Sequence, residues 1–514
     1  MSRYILSTEQ MQWADRQAMQ TIPSHELMAR AGRAVAEAVL DSREDAGRVV
    51  IVTGPGNNGG DGFAAACHLR RRGLLVTVVS LVAGARLKGD ARSWYERALA
   101  EGVKVRESAT SLVELKRWLA RATLVVDSIF GTGLARPLSG HFADAVACIN
   151  ASDRKVLAVD MPSGIDSDTG AVLGAAVRAD VTLPIAAHKW GHWLGEGRAH
   201  VGRMLPVADI GIDAKILKAS FAARAVGARL AQLIARTVLL RCWSKRPPDA
   251  HKGMFGHVWI FGGSVGFSGA PVLAGKGAFA GGAGLVSLVC PDTVWPIVAS
   301  TLPEVMVHPQ STDAWRQARI DVIVAGPGWG GGQQALLRDL LARDESLVLD
   351  ADALNMMATS SELQATLRAR SAPTVLTPHP GEAARLLACD VATVQRDRPQ
   401  AAIALAERFA CWVVLKGAGT LVAADDGCVW LSPFGSPKMA VAGSGDVLAG
   451  LIGASLARSG EVAIADRLGA AVALHGLAGE KDDWWLAGGL AERVARMRRR
   501  IEQAGRMDMF CTNC

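Results

Sequence analysis

Residues 48–62 read Arg-Val-Val-Ile-Val-Thr-Gly-Pro-Gly-Asn-Asn-Gly-Gly-Asp-Gly, an apolar run that ends in a glycine-rich turn. The β-branched residues are typical of a buried strand, and a glycine-rich turn after a strand exposes backbone N–H groups that can hold an anion. A carboxylate repels a phosphate, so the aspartate in this turn is better suited to accept a proton beside a bound anion. The stretch therefore predicts a strand–turn–helix unit that binds an anionic substrate.

A second glycine-rich turn, Ala442-Gly-Ser-Gly-Asp446, precedes an apolar run over residues 447–457 that predicts a helix. Asp446 is then expected at the helix N-terminus, where the helix dipole stabilises negative charge. Two turns of this kind in one chain predict two active sites.

Apolar runs rich in β-branched residues recur along the chain and alternate with longer amphipathic segments. This alternation predicts parallel strands joined by crossover helices, and hence an α/β fold with a doubly wound sheet. The predicted strands of the first half are 49–53, 74–80, 124–127, 156–160 and 181–185. Those of the second half are 257–261, 285–290, 322–325, 347–350, 374–377 and 412–416, followed by an antiparallel hairpin of 421–424 with 428–431.

Two further segments predict helices. Residues 8–40 should form a pair of helices separated at Pro23, the first capped by Thr8. The alanine-rich residues 214–235 should form a helical connection between two domains.

The bulk properties narrow the class of protein. A chain of 514 residues exceeds the size of a single core and predicts two or three domains. The net charge of +7 is modest and its basic clusters are typical of solvated helix faces, so no nucleic-acid partner is expected. The nine cysteines show no disulfide framework, which favours a cytoplasmic protein, and Cys511 with Cys514 predicts a disordered tail. Neither a signal peptide nor a long apolar span is visible, so no membrane partner is expected.

Three predicted strand ends in the first half carry carboxylates or amides followed by small residues. They are the segment Asn57–Asp61, Asp127 before Gly131–Gly133, and Asp160. Ligands of open parallel sheets bind at the carboxyl ends of the strands, so these loops are expected to converge on one site. Carbonyl and carboxylate oxygens together are the ligands that a hard cation prefers.

The second half offers three candidate elements for phosphoryl chemistry. Lys416–Thr420 follows a strand and its glycines allow close backbone approach, whereas Thr377–Glu382 joins a strand to a helix. We expect Glu382 to order magnesium-bound water. Asp446 can take a proton from a substrate hydroxyl while neighbouring N–H groups stabilise a transferring phosphoryl group.

The motifs GNNGGDG (56–62), DSIFGTG (127–133) and DMPSGID (160–166) together resemble the NAD(P)HX epimerase domain of bifunctional NAD(P)H-hydrate repair enzymes. The resemblance covers residues 1–215 and implies a Rossmann-like α/β sandwich that interconverts the R and S epimers, with Asp160 as general acid/base. It implies a potassium ion held by Asn58, Asp127 and Ser163. It implies substrate binding by Asn57, Asn58, Gly59, Gly60, Asp61, Gly131, Thr132, Gly133, Leu134, Ala135, Arg136, Pro137 and Asp160.

The epimerase pattern is broken at one place. Pro184 and Trp190 stand where relatives usually carry Phe and Pro, whereas Lys189 is retained. This departure bears on the shape of the pocket rather than on its chemistry.

The motifs LTPHPGEAARLL (376–387), LKGAGT (415–420) and AGSGDVLAG (442–450) resemble the ADP/ATP-dependent NAD(P)H-hydrate dehydratase, a ribokinase-like α/β enzyme. The resemblance covers residues 236–505 and implies dehydration of the S epimer with Asp446 as base, magnesium as cofactor and ADP as phosphoryl donor. It implies hydrate binding by Ala270, Gly328, His379 and Asp446, and nucleotide binding by Lys416, Gly417, Ala418, Gly419, Thr420 and Gly445.

The resulting prediction is an epimerase domain over 1–215, a linker over 216–235, a dehydratase domain over 236–505 and a tail over 506–514. Its partners would be NADHX or NADPHX and ADP, with a homo-oligomer expected. The choice between ADP and ATP, and between NADHX and NADPHX, stays open. Two other functions are compatible with parts of the pattern, namely a small-molecule kinase of the ribokinase group and an RNA-associated scaffold.

Overall fold

The computed structural model describes residues 3–42, 47–223, 227–458 and 460–504. The chain forms two compact units, Met1–Val226 and Gly227–Cys514. Cys511 and Cys514, and the predicted tail as a whole, lie outside the described residues.

The first unit is built on a parallel sheet. Its strands are β1 (Ile5–Leu6), β2 (Val49–Thr53), β3 (Val76–Ser80), β4 (Lys104–Glu107), β5 (Leu124–Ser128), β6 (Lys155–Val159), β7 (Val181–Leu183), β8 (His188–Lys189) and β9 (Arg203–Met204). Seven of them follow the order β4-β3-β2-β5-β6-β7-β9, whereas β1 and β8 form a separate pair. The order reverses between β2 and β5, so the loops after these two strands leave a crevice at the carboxyl edge.

Helices cover this sheet, and strands β2, β3, β5 and β7 are buried at every residue, which explains their continuous apolar runs. The helices are α1 (Thr8–Ala18), α2 (Ser24–Ser42), α3 (Asn57–Arg71), α4 (Gly89–Ala100), α5 (Val113–Leu119), α6 (Gly140–Asn150), α7 (Gly197–His200) and α8 (Ala214–Ala219).

The second unit contains a larger, mixed sheet. Its strands are β10 (Leu230–Leu233), β11 (His257–Phe261), β12 (Leu285–Cys290), β13 (Met306–Pro309), β14 (Val322–Ala325), β15 (Ser346–Leu349), β16 (Thr374–Leu376), β17 (Trp412–Leu415), β18 (Leu421–Ala423) and β19 (Cys428–Leu431). The strand order is β10-β19-β18-β17-β16-β15-β14-β11-β12-β13, with β18 antiparallel to both neighbours. The order reverses at β11, which lies between β14 and β12.

The helices of the second unit are α9 (Thr237–Cys242), α10 (Gly269–Gly281), α11 (Trp295–Thr301), α12 (Gln334–Leu341), α13 (Asp352–Thr359), α14 (Ser361–Arg368), α15 (Pro380–Leu387), α16 (Val391–Arg396), α17 (Arg398–Phe409), α18 (Ser444–Ala457), α19 (Ile464–Gly479) and α20 (Ala487–Ala504). Across the described ranges, no helix combines the length and the apolar character needed to span a bilayer.

Every strand predicted from the sequence is present to within two residues at each end, and the antiparallel hairpin is confirmed. The predicted α/β class, with two domains and a doubly wound sheet in the first, is therefore correct. Strand β4 was missed because Lys104–Glu107 is charged and mostly exposed at the sheet edge.

Two local predictions are wrong. Ser7, not Thr8, caps α1: its hydroxyl accepts from Gln10 N while the Gln10 side chain accepts from Ser7 N. The helical connection over 214–235 is correct only for α8, because Leu230–Leu233 forms an edge strand paired in parallel with β19. Backbone pairing to an existing sheet edge overrides the helix propensity of alanine there.

Helices α10 and α18 pack with their backbones nearly touching. A Cβ atom added to Gly450 would lie 1.8 Å from Ala274 O, and one added to Gly277 would lie 2.1 Å from Val447 O. Gly443 faces the Leu273 side chain at the start of the contact, Gly277 faces Val447 in the middle and Gly281 faces Ala454 at the end, so contacts advance along both helices together and the helices run parallel. The N-termini of both helices therefore point to the same end of the unit.

Replacing Gly450 by alanine is expected to destabilise the second unit by about 1–3 kcal/mol, since the methyl group overpacks the helix contact. Urea unfolding followed by tryptophan fluorescence measures the loss. Gly275→Ala on the facing helix is the matched control, because its added Cβ would meet atoms only at 3.5 Å or beyond. Equal stability of the two variants would contradict the close packing.

Candidate active sites

The loops after β2 and β5 meet at the crevice of the first unit. A Cβ atom on Gly54 would lie 2.1 Å from Ile129 O, so the two loop backbones are in direct contact. Asn57 begins α3, which means that Asn57–Asp61 forms the first turn of a helix rather than a free loop. The N–H groups of a first turn have no partner within the helix and are available to an anion.

Three predicted residues come together above this crevice. A Cβ atom on Gly131 would lie 3.3 Å from Asn58 Oδ1 and 3.2 Å from Asp160 Oδ2. Thr132 N donates to Asp160 Oδ2 at 3.3 Å, and the Thr132 hydroxyl donates to the same oxygen. A larger residue at 131 would crowd both the amide and the carboxylate.

Asp160 is held in place by a buried ion pair. Its Oδ1 forms a salt bridge with Lys189 Nζ and accepts from Ile185 N at 3.2 Å. Burial on its own would raise the pKa of Asp160, but the Lys189 ammonium and the hydrogen bonds from Lys189 and Thr132 outweigh it and hold the pKa below its usual value. Asp160 is therefore a carboxylate at neutral pH.

His192 fixes the backbone of the same residue. Lys189 N donates to His192 Nδ1 at 3.0 Å, and His192 Nε2 bonds the Asp160 carbonyl at 2.7 Å. Burial, followed by the charge of Lys189, lowers the pKa of His192 to about 4. The ring is thus neutral, with Nδ1 as acceptor and Nε2–H as donor.

Two further carboxyl groups, Asp61 and Asp15, interact electrostatically with Asp160, and their pKa values are raised where that of Asp160 is lowered. Burial raises the pKa of Asp61 well above its usual value, and the charges of Asp160 and Asp15 add to the effect. Burial likewise raises the pKa of Asp15 to about 6, with Lys189 opposing and Asp160 reinforcing it. The site therefore combines an ionised Asp160 with two carboxyl groups, Asp61 and Asp15, whose pKa values are raised and which hold a proton more readily.

Two of the three predicted potassium ligands, Asp127 and Ser163, are in direct contact. Asp127 Oδ1 accepts from the Ser163 hydroxyl at 2.6 Å and Oδ2 accepts from Ser163 N at 2.8 Å. Asn58 Nδ2 is buried without a hydrogen-bond partner within the described ranges. Burial raises the pKa of Asp127 to about 6, because these hydrogen bonds offset it only in part. The Asp127 carboxylate together with neutral amide and hydroxyl oxygens fits a weakly held, singly charged cation. A cation bound there would favour the ionised form of Asp127.

The remaining predicted residues of the first site take no part in the Asp160 carboxylate contacts described above. Gly133–Pro137 continues the loop after Thr132 and is mostly exposed. Trp190, one of the two departures from the family pattern, is buried directly after Lys189.

In the second unit the candidate residues lie at the carboxyl ends of adjacent strands. Asp350 follows β15, Thr377 follows β16 and Lys416 follows β17. Asp350 Oδ1 binds Lys416 Nζ at 2.6 Å and accepts from the Thr377 hydroxyl at 2.7 Å. Glu382 Oε2 lies 3.9 Å from the same ammonium. One cation thus stands among several carboxylates.

Asp446 occupies the first turn of α18, as predicted, after Gly443 in the left-handed conformation at φ 87°. A Cβ atom on Gly445 would lie 3.4 Å from Lys416 Nζ, so the ammonium is beside this turn. Burial, followed by the charge of Asp350, raises the pKa of Asp446 to about 7, although Lys416 opposes the shift. A carboxyl group with a pKa near the working pH is suited to general base catalysis.

His379 caps α15 and is half-exposed. Its Nδ1 accepts from Gly381 N at 2.9 Å, and the Glu382 carboxylate accepts from His379 N at 2.7 Å. Burial, followed by the charges of Lys416 and Arg385, lowers the pKa of His379. The exposed part of the His379 imidazole is therefore neutral at neutral pH and available to a ligand.

Ala270 and Gly328 lie together at the point where the strand order reverses. A Cβ atom on Gly328, whose φ is 63°, would lie 2.8 Å from Ala270 Cβ. Ser264 Oγ donates to Gly328 O at 2.9 Å and ties the loop after β11 to the loop after β14. Such a reversal is where open α/β sheets bind ligands.

Two family models match the chain. Residues 24–191 match the YjeF-related protein N-terminus, and residues 258–489 match NAD(P)H-hydrate dehydratase. The bifunctional NAD(P)H-hydrate repair enzyme Nnr of Moorella thermoacetica is 37% identical over 508 residues, which cover 93% of this chain and 92% of that protein. The chain belongs to the bifunctional NAD(P)H-hydrate repair enzyme family. The predicted family and the predicted two-activity enzyme are thereby confirmed.

Other members are similarly related. The Nnr enzyme of Thermanaerovibrio acidaminovorans is 39% identical, with 91% of this chain and 92% of that protein covered, and that of Escherichia coli is 34% identical, with 84% and 80% covered. A crystal structure of the ADP/ATP-dependent NAD(P)H-hydrate dehydratase from Bacillus subtilis, co-crystallised with ATP and Mg²⁺, is 29% identical and covers 52% of this chain and 98% of that one, with a TM-score of 0.47.

Several neighbours of the two sites in this repair-family chain were missed from the sequence. Asp15 lies outside the matched family models, but it follows Met11 by four residues and precedes Ala18 by three, which places it on the apolar face of α1. Asp350 was predicted only as the last residue of the strand 347–350, with no role at the site. Arg398 is buried beneath Lys416–Thr420. Nothing in the sequence indicates this role beyond its position between Thr377–Glu382 and Lys416–Thr420.

Proposed function

We propose that the chain repairs hydrated NAD(P)H, with the first unit interconverting the R and S hydrates and the second dehydrating the S hydrate at the expense of ADP. The observation that carries the proposal is a reactive aspartate in each unit. Asp160 is ionised beside Lys189, whereas Asp446 lies in a helix first turn with a pKa near 7. Each aspartate stands at the carboxyl edge of its own sheet.

Epimerisation requires the hydroxyl group to leave the hydrated carbon from one face and water to add to the other. The departing hydroxyl needs a proton, and the incoming water must lose one. Asp160 serves as the general acid/base, and its observed neighbour Asp61 supports proton donation to the leaving group. The dinucleotide is held by Asn57–Asp61 and Gly131–Pro137.

A potassium ion in this unit is part of the proposal. Asn58, Asp127 and Ser163 would hold it through their oxygen atoms, and the direct contact of the buried Asp127 carboxylate with the Ser163 hydroxyl supports their fit. The ion would supply positive charge that fixes the loop ends on which Gly131 and Asp160 stand.

Dehydration must turn a hydroxyl into a better leaving group. Asp446 takes the hydroxyl proton while the oxygen attacks the terminal phosphorus of ADP, forming an O–P bond and breaking the phosphoanhydride to release AMP. Loss of phosphate then breaks the C–O bond, and loss of the adjacent C–H proton leaves NAD(P)H. Transfer of oxygen-18 from the hydrate into phosphate tests this route.

The nucleotide part of the second site is proposed from the position of the loop Lys416–Thr420, here called the nucleotide loop. This loop and Gly445 bind ADP, and Ala270, Gly328 and His379 bind the hydrate. Magnesium would neutralise phosphate charge and keep part of its water shell. The buried carboxylate of Glu382, close to Lys416, supports its assignment to magnesium-bound water.

The deciding experiment supplies the full chain with a mixture of both hydrate epimers and either ADP or ATP. Complete conversion to NAD(P)H with one nucleotide supports both activities, and the faster nucleotide is the donor. Rapid conversion of only the S epimer would show an inactive first unit. Phosphorylation of a vitamin or sugar alcohol without hydrate turnover would favour a small-molecule kinase, and salt-sensitive RNA binding that survives loss of Asp160 would favour a scaffold.

A cytoplasmic location is also part of the proposal. The seven described cysteines are free thiols, which supports a reducing cytoplasmic location. The homo-oligomer and the absence of a nucleic-acid partner stay predictions.

A further inference from the structure

Arg398 lies beneath the nucleotide loop with 5% of its surface exposed. Its Nη2 donates to the carbonyl oxygens of Leu415, Lys416 and Gly419 at 3.3, 3.2 and 3.4 Å. Its Nη1 donates to Gln395 Oε1 at 3.2 Å. One guanidinium therefore binds both ends of the loop.

Burying the Arg398 guanidinium at this position costs folding free energy. Arg398 begins α17, where the helix dipole repels a positive charge, and burial lowers its pKa to about 10. Its acceptors are carbonyl and amide oxygens rather than a carboxylate, and Arg398 Nε is buried without a partner within the described ranges. An apolar side chain would fill such a position at lower cost, so packing does not account for an arginine here.

The three carbonyl contacts fix where the loop N–H groups point. In a trans peptide the C=O of one residue and the N–H of the next point in opposite directions. Carbonyls turned toward Arg398 therefore direct the N–H groups of Lys416, Gly417 and Thr420 away from it. Lys416 N is already used, since it donates to Pro378 O at 2.9 Å. The N–H groups of Gly417 and Thr420 face the opposite side of the loop.

Gly417 lies directly on the guanidinium. Its φ is 139°, and an added Cβ atom would lie 2.9 Å from Arg398 Nη1. The loop backbone therefore packs closely against the arginine. The positive charge of the Arg398 guanidinium, which has no carboxylate partner among the described residues, lies directly beneath the loop.

We propose that Arg398 is a positioning residue for the nucleotide: it binds the carbonyls of the nucleotide loop so that the N–H groups of Gly417 and Thr420 face the phosphates. The inference rests on the proposed function and names the groups that bind the donor. It concerns binding of the nucleotide and not of the hydrate.

The test compares full-length Arg398→Lys and Arg398→Gln with Arg408→Gln, an exposed arginine on the same helix. Calorimetry gives the Kd of Mg-ADP, and the dehydratase assay gives separate KM values for ADP and hydrate. Lysine keeps the charge but cannot reach three carbonyls at once. Both Arg398 variants are expected to weaken ADP binding by about tenfold or more, equivalent to about 1.4 kcal/mol, with the hydrate KM unchanged. Arg408→Gln is expected to match the wild type.

Three results would overturn the inference. They are an unchanged ADP Kd in Arg398→Lys, a parallel rise of both KM values, or loss of folding in both Arg398 variants, which would assign the residue to stability. A wild-type chain that binds ADP but converts no hydrate would overturn the proposed function alone.

Discussion

Replacing Asp446 by asparagine is expected to lower the dehydratase rate by about 10²- to 10⁴-fold, the usual contribution of a general base. Asparagine keeps the shape of the side chain but cannot accept the hydroxyl proton. Epimerisation in the other unit should continue at the wild-type rate. NAD(P)H formation by absorbance, together with the epimer ratio by chromatography, separates the two activities.

Asp425→Asn is the matched control, because Asp425 is an exposed carboxylate in the same unit. It should leave both rates unchanged. A dehydratase rate in Asp446→Asn within experimental error of the wild type would remove Asp446 from the mechanism.

The pH profile provides a second check on the same residue. Burial and Asp350 raise the pKa of Asp446 to about 7, and a base acts only when it is ionised. The wild-type dehydratase rate should therefore rise with pH through about 7 and level off above it. A rate that falls over this interval would indicate that the protonated form of Asp446 is the active one.

Replacing Asp160 by asparagine is expected to lower the epimerase rate by about 10²- to 10⁴-fold and leave dehydration intact. The variant should consume the S epimer at the normal rate, after which spontaneous epimerisation limits the rest. Asparagine suits this position because it tolerates the left-handed backbone that Asp160 adopts at φ 64°. The biphasic time course of NAD(P)H formation is the measurement.

The exposed Asp144 on α6 supplies the control, since Asp144→Asn removes the same charge from a surface helix of the same unit. A single-phase, complete conversion by Asp160→Asn would show that another group performs the proton transfer.

The sequence predicted the strands because their apolar runs are long and buried on both faces, as in β2 and β11. It also predicted that Asn58, Gly131 and Asp160 would meet, because parallel strands place their ends at one edge. Edge elements escaped prediction: β10 is held by pairing with β19, a partner distant in sequence.

The electrostatic roles were less predictable than the positions. Lys189 was noted in the sequence, but its ion pair with Asp160 depends on a chain path that local patterns do not encode. The same holds for Asp15 and Asp61, whose raised pKa values arise from burial. Arg398 was missed because its contacts to the nucleotide loop are with backbone carbonyls, which do not depend on the identity of the loop side chains.

The left-handed backbone at Asp160 has a consequence for how this enzyme could change. A non-glycine residue at φ 64° is a source of strain of roughly 1–3 kcal/mol, and Ala351, between Asp350 and Asp352, has a φ of 47° in the other site. Glycine at 160 would relieve that strain, but it would leave the buried ammonium of Lys189 without its carboxylate, a loss of about 3–5 kcal/mol. The ion pair therefore outweighs the backbone strain, and selection of variants for heat resistance alone should retain Asp160.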